Sequence, residues 1–209
     1  AWNVTGVEYS LAACAQARSR LKSGQVHRGE LRDAGLADGQ FDLCVISDVL
    51  EHVRSPLEFL REIHRVLKPG GTLFVATPST DSWSARLLKQ RWMEFKAEHL
   101  IYFDRQTLQT ALFKSGFREA IIQPGWKILS LDYVQKHFER FPVPMVTPVV
   151  NFLAGLLPKG MRARHRRVVA SGIMAFARKI EINPQTTLSV VVPAFNEANT
   201  FSPMMEGLP

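Results

Sequence analysis

The sequence predicts an α/β fold, a mostly parallel sheet with helices on both faces, and three observations support this prediction. Near-continuous apolar runs at Phe41–Ser47 and Thr72–Thr77 are typical of strands that are buried on both faces of a parallel sheet. Between them, Ser55-Pro56-Leu57-Glu58 begins an amphipathic helix, because a capping serine is followed by proline and then by glutamate. Strands and helices that alternate in this way predict a Rossmann-like arrangement.

The remaining elements follow from local capping and apolar periodicity. The turn Lys68-Pro69-Gly70-Gly71 ends the first helix described above, since proline cannot continue a helix and glycine turns freely. The other expected elements are, in chain order, a strand at Trp2–Glu8, a helix at Leu11–Leu21 capped by Ser10, a strand at Val26–His27, a helix from Asp104 to Gly116, and strands at Phe117–Gln123 and Ser171–Ile180.

Composition indicates a folded globular protein. Of its 209 residues, 46% are hydrophobic and 22% are charged. The two cysteines, Cys14 and Cys44, give neither a disulfide framework nor metal-ligand spacing, so we expect no metal and a reducing compartment. No signal-peptide pattern occurs at the start, which predicts a cytoplasmic location, with membrane association as the alternative.

Changes in composition divide the chain. We expect one domain over residues 1–180, a linker at 181–187, and the first strand of a second domain over 188–209. Within the first domain, residues 131–168 read as an insertion or lid that is rich in phenylalanine and proline. Its apolar stretch, Pro142–Pro158, is too short and too interrupted to span a bilayer, which leaves a lid over the site or an interfacial helix.

The net charge of +7 is concentrated after that apolar stretch. Lys159, Arg162, Arg164, Arg166 and Arg167 follow it without the interleaved aromatic residues of a nucleic-acid surface. We therefore expect no nucleic-acid partner. An anionic membrane contacted through residues 141–167, a phosphate-bearing substrate and a solvated loop all remain open.

Polar residues follow the first three predicted strands. In open parallel sheets, ligands bind at the carboxyl ends of strands. Glu8 ends the first strand, Glu30 and Leu31 follow the second, and Ser47-Asp48 ends the third. A carboxylate in the position of Glu8 can accept hydrogen bonds from both hydroxyls of a ribose.

Motifs at these positions occur in a fixed order. They are Gly6-Val7-Glu8-Tyr9-Ser10, Gly29-Glu30-Leu31, Gly39-Gln40-Phe41-Asp42, Asp48-Val49-Leu50-Glu51-His52-Val53 and Arg65-Val66-Leu67-Lys68-Pro69-Gly70-Gly71. The set resembles the second to fifth strand motifs of class I S-adenosylmethionine-dependent methyltransferases related to the ubiquinone-biosynthesis O-methyltransferases, of the methyltransferase 11 and 23 type. The resemblance covers about Val4 to Lys179.

This resemblance implies S-adenosyl-L-methionine as cofactor and assigns roles to the strand ends. Glu8, with Tyr9 beside it, would bind the ribose; Glu30 and Leu31 would flank the adenine; Ser47 and Asp48 would line the methionine part. The reaction would be an in-line methyl transfer. If the acceptor must lose a proton, His99 and His52 are the candidate catalytic bases, and structural histidines are the alternative.

One part of the family pattern is absent from the sequence. No Gly-x-Gly occurs in the chain, although the family has a strand and a glycine-rich loop before the ribose acid. We therefore expect the natural protein to continue upstream by a strand, a loop and a helix. We also expect an unpaired gap between the strand that ends at Glu8 and the one that ends at Ser47, and an inactive chain in isolation.

The final segment, Leu188 to Glu197, resembles the opening strand of family 2 glycosyltransferases. It would make the parent protein a fusion, with a small-molecule, glycan or lipid-linked acceptor that is methylated at oxygen. A non-catalytic scaffold or interaction module fused to a glycosyltransferase is the alternative function. A nicotinamide-dependent oxidoreductase would share the fold, but the Leu-Lys-Pro-Gly-Gly turn gives it no support.

Overall fold

The structure is a computed structural model, and it describes residues 3–180. In that part of the chain, six strands and seven α-helices form two β-sheets and the helical layers around them. They are, in chain order, β1 (Thr5–Glu8), α1 (Leu11–Arg20), β2 (Gln25–Arg28), β3 (Phe41–Ser47), α2 (Pro56–Val66), β4 (Leu67–Pro78), α3 (Trp83–Leu88), α4 (Arg105–Lys114), β5 (Glu119–Leu129), α5 (Leu131–Arg140), α6 (Val146–Leu156), α7 (Lys159–Arg162) and β6 (Arg166–Arg178).

The two sheets divide the strands unequally. In the smaller sheet β1 lies parallel to β2, and in the larger sheet the order is β3-β4-β6-β5. Strands β3 and β4 are parallel, whereas β6 is antiparallel to both β4 and β5. The larger sheet is therefore mixed: β3, β4 and β5 run in the same direction, and β6, which follows α5–α7, inserts between β4 and β5 in the opposite direction.

Several elements begin and end as local sequence predicts. Strand β3 has the predicted bounds, and the side chain of Ser10 accepts a hydrogen bond from the Ala13 N–H at 3.4 Å as the cap of α1. Asp104 and Thr107 form a reciprocal capping box at the start of α4. Helix α2 begins at Pro56 as expected, but the side chain of Ser55 makes no capping hydrogen bond.

Strand β4 begins earlier than the sequence predicts. The Lys68–Gly71 segment, expected as a turn, is the first part of the strand. Its conformation is fixed by distant residues: the Gly70 N–H donates to the Lys179 carbonyl at 2.7 Å, and the Lys179 N–H donates to the Gly71 carbonyl at 3.0 Å. Gly70 adopts a φ of 78°, which favours glycine there. The Lys68–Gly71 segment has the residues typical of a turn, but its backbone pairs with the residue that follows β6, so the segment forms part of the sheet.

The main core lies between one face of the larger sheet and helices α2 and α4. Its fully buried side chains include Leu60, Ile63, Leu73, Leu108, Leu112 and Phe117. The opposite face of β3 is different, because Leu43 is 43% and Val45 60% exposed. The prediction that β3 is buried on both faces is therefore wrong for one face, which no described helix covers.

Helices α5–α7 connect the antiparallel strands β5 and β6. Val143 and Val146 pack there against a second buried cluster around Trp92. Arg166 and Arg167, for which a solvated loop was one of the three alternatives, are the first residues of β6. Among residues 3–180, no helix has the length and apolar character needed to cross a membrane. The predicted linker (181–187) and the start of a second domain (188–209) lie outside the described residues.

Candidate functional site

The first group of predicted site residues lies at the carboxyl ends of β1 and β2. The Gly29 N–H donates to the Glu8 carbonyl at 3.1 Å, which brings Glu30 beside the end of β1. The Glu8 carboxylate accepts a hydrogen bond from the Ser10 N–H at 2.7 Å, and Glu8 is half-buried. A carboxylate fixed in this way at a strand end is suited to binding hydroxyl groups.

The neighbours of these two acids are less constrained. The Glu30 carboxylate pairs with the Arg32 guanidinium at 2.7 Å, and both side chains are exposed. Tyr9 is 76% exposed, whereas Leu31 is partly buried against the main core. A ligand that used Glu30 would have to compete with an ion pair in water, which is weak at such exposure.

The second group lies at the carboxyl end of β3. Ser47 Oγ donates to Asp48 Oδ2 at 3.3 Å, and the Asp48 N–H donates to the Ala76 carbonyl at 2.9 Å. Asp48 has a φ of 51°, in the left-handed region that residues other than glycine rarely adopt. Non-glycine residues held in that region cost about 1–3 kcal/mol and cluster at functional sites.

A cavity of about 70 Å³ adjoins this second group. Its lining includes Ser47, Asp48, Thr77, Trp126 and Gly172. The backbone packs so closely there that a Cβ atom on Gly172 would lie 2.8 Å from the Thr77 carbonyl oxygen. A second cavity, of about 260 Å³, includes Gly70 in its lining and therefore lies at the other end of β4. Ser47 and Asp48 thus face the smaller of these two cavities, whose lining includes neither Glu8 nor Glu30.

Glu51 was given no role by the sequence, yet it is the most deeply buried acid of the site. It follows Asp48 in a 3₁₀ turn at Leu50–His52 and is 1% exposed. Its Oε2 accepts a hydrogen bond from Thr77 Oγ1 at 2.9 Å, whereas Oε1 has no partner among the described residues. Its carbonyl accepts the Leu100 N–H at 2.8 Å. Glu51 lies within the motif Asp48–Val53, but the sequence of a motif does not show which of its side chains are buried.

His52 and His99, the predicted catalytic bases, are in contact. Their ring centroids lie 4.8 Å apart in an edge-to-face arrangement. His52 Nδ1 lies 2.8 Å from the Glu98 carbonyl oxygen. Because that oxygen can only accept, Nδ1 carries the proton, and Nε2 of the neutral ring keeps its lone pair. The backbone carbonyl of Glu98 thus orients the His52 ring.

Together, Glu51, His52 and His99 form a cluster of three potential ligands or proton carriers. One nitrogen or oxygen atom from each lies within 4.8 Å of the other two. His99 is 8% exposed, and its Nδ1 has no hydrogen-bond partner within residues 3–180. A carboxylate with two imidazoles can take up and pass on a proton, and the same donor set can bind a divalent cation.

The sequence of this chain is similar to those of known proteins. Residues 1–75 match the family model described as a methyltransferase domain. Over 81 residues the chain is 35% identical to a probable S-adenosylmethionine-dependent methyltransferase of Mycolicibacterium smegmatis, covering 39% of this chain and 32% of that protein. Over 80 residues it is 39% identical to a ubiquinone biosynthesis O-methyltransferase of Pseudomonas aeruginosa, covering 36% of this chain and 34% of that one. The chain thus spans about a third of the length of these relatives.

Solved structures support the fold. A methyltransferase from Thermotoga maritima, described as a possible histamine N-methyltransferase, aligns with a TM-score of 0.56 at 21% identity, over 84% of this chain and 72% of that one. A methyltransferase from Archaeoglobus fulgidus aligns with a TM-score of 0.54 at 16% identity, over 84% and 75%. The fold is therefore that of the Rossmann-like S-adenosylmethionine-dependent methyltransferases. The match over residues 1–75 supports the class I resemblance drawn from the motifs.

Proposed function

We propose that this chain carries the cofactor-binding and acceptor-facing parts of an S-adenosylmethionine-dependent methyltransferase. The observation that carries the proposal is the match of residues 1–75 to a methyltransferase domain, within which Glu8, Glu30 and Asp48 lie at the carboxyl ends of strands. Ligands of open α/β sheets bind at that edge. The proposal also covers the methyl acceptor, the atom that receives the methyl group and the activity of the whole protein.

Each strand end contributes a different kind of contact. Glu8 binds the two ribose hydroxyls through its carboxylate, and Glu30 with Leu31 flanks the adenine. Ser47 and Asp48 line the methionine end, where Asp48 is held in its left-handed conformation. S-adenosyl-L-methionine, when bound, supplies an electrophilic methyl group on a sulfonium. Holding acceptor and methyl group in line contributes up to ~7–11 kcal/mol to the lowering of such a barrier.

The described residues do not form a complete cofactor pocket. The cavity beside Asp48, about 70 Å³, is small compared with ligand sites, which measure roughly 300–1,000 Å³. Glu8 and Asp48 also lie at the ends of strands in separate sheets. We infer that a further strand with a glycine-rich loop, supplied from upstream of Ala1, lies between β1 and β3. It would join the two sheets and complete the pocket, so we expect residues 1–209 alone to be inactive.

The histidine cluster supplies the proton acceptor in this proposal. A hydroxyl acceptor becomes a better nucleophile when its proton is removed during methyl transfer, and general bases contribute about 10²–10⁴-fold. His52 is oriented by the Glu98 carbonyl, so its Nε2 can accept that proton. Glu51 lies close enough to stabilise the imidazolium that results. This arrangement favours methylation at oxygen over transfer to carbon.

The acceptor is proposed to be a small molecule, a glycan or a lipid-linked sugar. The support is the resemblance of residues 188–197 to a glycosyltransferase opening strand, which would place both activities in one cytoplasmic protein. A second candidate function, a non-catalytic module beside a glycosyltransferase, is favoured by the small size of the cavity.

Titration calorimetry with S-adenosylhomocysteine tests the cofactor assignment. The protein is the natural full-length form, and residues 1–209 are titrated in parallel. We expect Glu8→Ala and Asp48→Ala to weaken binding at least about 10-fold, since each removes charge-assisted hydrogen bonds worth ~1.5–3 kcal/mol. Glu139→Ala, which removes an exposed acid on α5, should leave binding unchanged. Absence of binding in the full-length protein would refute the enzyme and favour the module.

Methyl-transfer rates test the histidine assignment. His52→Ala and His99→Ala in the full-length protein should lower kcat by about 10²–10⁴-fold without weakening S-adenosylhomocysteine binding, as expected for general bases. Unchanged kcat in both variants would make the histidines structural. Loss of activity on adding a chelator, restored by a divalent cation, would make the cluster a metal site instead.

A further inference from the structure

Helix α6 exposes an apolar stripe to solvent. Met145, Val149, Phe152, Leu153 and Leu156 follow the spacing i, i+4, i+7, i+8 and i+11, which places them on one side of a helix. Each of these side chains is between 49% and 84% exposed. The helix and its flanks, residues 141–158, contain no charged residue. Such a surface is unusual on a face of a protein that is exposed to water.

The stripe is not the side by which α6 attaches to the fold. Val146, Val150 and Ala154 lie on the neighbouring side at intervals of four residues, where the two valines are half-buried and Ala154 is completely buried. Val146 packs against the cluster around Trp92. The helix is thus docked through its smaller side chains, and its larger ones face outward. Contiguous exposed apolar patches of this kind mark interaction surfaces.

Positive charge surrounds the end of this helix. Residues 159–167, which follow the helix directly, contain five lysines and arginines and no acid, so this short stretch carries +5 whereas the whole chain carries +7. Lys159, Arg164 and Arg166 are exposed and form no ion pair within residues 3–180. Arg162 is different, because its guanidinium pairs with Asp132 at 3.5 Å and holds α7 against α5.

We propose that residues 145–167 form a membrane-docking surface, with α6 lying in the interfacial plane of an anionic bilayer. The stripe of α6 inserts among the acyl chains, and the basic residues bind lipid phosphates. Eleven residues of helix span roughly 16 Å, which suits a helix that lies on a membrane and not one that crosses it. A nucleic acid would match the charge but not the apolar stripe, and an apolar protein partner would not explain the charge.

This surface adjoins the cavity at the end of β3. The guanidinium of Arg167 stacks on the ring of Trp126 at 4.4 Å, and Trp126 lines that cavity together with Asp48. A docked protein would therefore hold the cavity near the lipid headgroups. If the proposed methyl transfer is correct, this position favours an acceptor that is embedded in the membrane. Membrane binding itself does not depend on the proposed activity.

Vesicle co-sedimentation tests the surface. The full-length protein is mixed with vesicles of three parts phosphatidylcholine to one part phosphatidylglycerol, and with vesicles of phosphatidylcholine alone. We expect binding to the anionic vesicles, at least about 10-fold weaker binding to the neutral ones, and weakening with salt, because surface charges are screened. Equal binding to both vesicles, or binding to neither, would overturn the proposal.

Two sets of variants separate the apolar and basic parts. Phe152→Asn combined with Leu156→Asn should reduce binding at least about 10-fold, since each removes several inserted carbons. The control, Ile121→Asn, alters a side chain on β5 that is 70% exposed, and it should bind normally. Normal circular dichroism of both proteins shows that they are folded. Unchanged vesicle binding by the double variant would refute insertion of α6.

Charge reversal tests the basic part in the same assay. Lys159→Glu, Arg164→Glu and Arg166→Glu together should reduce binding at least about 100-fold, because one basic residue near an anionic surface contributes about 5-fold. The matched control reverses three exposed charges elsewhere: Arg20, Lys22 and Arg91. An equal loss in both proteins would show a nonspecific charge effect and overturn the proposal. Light scattering provides a further test. If it shows a dimer that the α6 double variant dissociates, a second copy of the protein covers the stripe, and the proposal is overturned.

Discussion

The hydrogen bond from Thr77 Oγ1 to Glu51 Oε2 can be removed with little change of shape by replacing Thr77 with valine. Thr77 is 3% exposed and Glu51 is 1% exposed, and the donor and acceptor lie 2.9 Å apart. Valine keeps the β-branched side chain that suits strand β4. Because Glu51 Oε1 already has no partner among the described residues, the variant leaves the whole carboxyl group without a hydrogen bond.

We expect Thr77→Val to lower the free energy of unfolding by about 2 kcal/mol, the cost of leaving a buried polar group unpaired. Glu51→Leu removes the other partner, and the double variant replaces both by apolar groups, which is often nearly neutral. Because Glu51→Leu alone leaves the buried Thr77 hydroxyl unpaired at a cost of about 1 kcal/mol, the double-mutant cycle should give a coupling free energy of about 3 kcal/mol, the sum of the two single costs. Urea unfolding followed by circular dichroism measures all four proteins.

The control is Thr72→Val, which makes the same change at a half-buried position of the same strand. It should alter stability by less than about 0.5 kcal/mol. A coupling free energy between Thr77 and Glu51 below about 0.5 kcal/mol would refute the reasoning, since residues that do not interact are additive within that range.

Three further predictions concern stability. Gly116→Ala should destabilise the fold by about 1–3 kcal/mol in urea unfolding, because Gly116 has a φ of 103° and a Cβ would lie 2.9 Å from His64 Nε2; a cost near zero would contradict this. Burial, and then the charge of Lys179, lower the pKa of His64 below 6.5 in the folded protein. The contribution of His64 to the stability of the fold is therefore present above pH 6.5, and it is lost as the pH falls through the lower pKa of the folded state. His64→Gln should flatten that pH dependence of the urea midpoint, and an unchanged slope would assign it to other groups. Asp104→Ala removes the hydrogen bond to the Thr107 N–H at 2.7 Å and should lower the thermal midpoint, at a cost of about 1 kcal/mol; the capping assignment fails if the midpoint is unchanged.

Local chemistry accounts for the parts of the fold that sequence predicted well. Strand β3 is an apolar run bounded by polar residues, and α4 has its capping residue at Asp104, so their limits depend on neighbours in the chain. Distant contacts account for the differences. Gly70 belongs to β4 because its N–H pairs with the Lys179 carbonyl, which no local pattern around Gly70 contains.

The same distinction explains what was missed in the site. Glu8 and Asp48 could be placed at the ends of β1 and β3 because each predicted strand ends where an apolar run gives way to polar residues. The exposure of Val45 could not be read in that way, because it depends on whether a helix covers that face of β3. The role of Glu51 depends on Thr77, which lies on the next strand and approaches it only in the folded sheet.

The polar cluster at the end of β3 costs the fold stability, and that cost is an argument for function. Four buried side-chain atoms within residues 3–180 have no hydrogen-bond partner, and two of them, Glu51 Oε1 and His99 Nδ1, belong to this one cluster. Nearby, Asp48 holds a left-handed backbone conformation. An unpaired buried polar group costs about 1–3 kcal/mol, and a strained residue costs a similar amount. A fold under selection for stability alone would replace these residues by apolar ones, whereas a site that must receive a proton or a ligand keeps such atoms unpaired until the substrate binds.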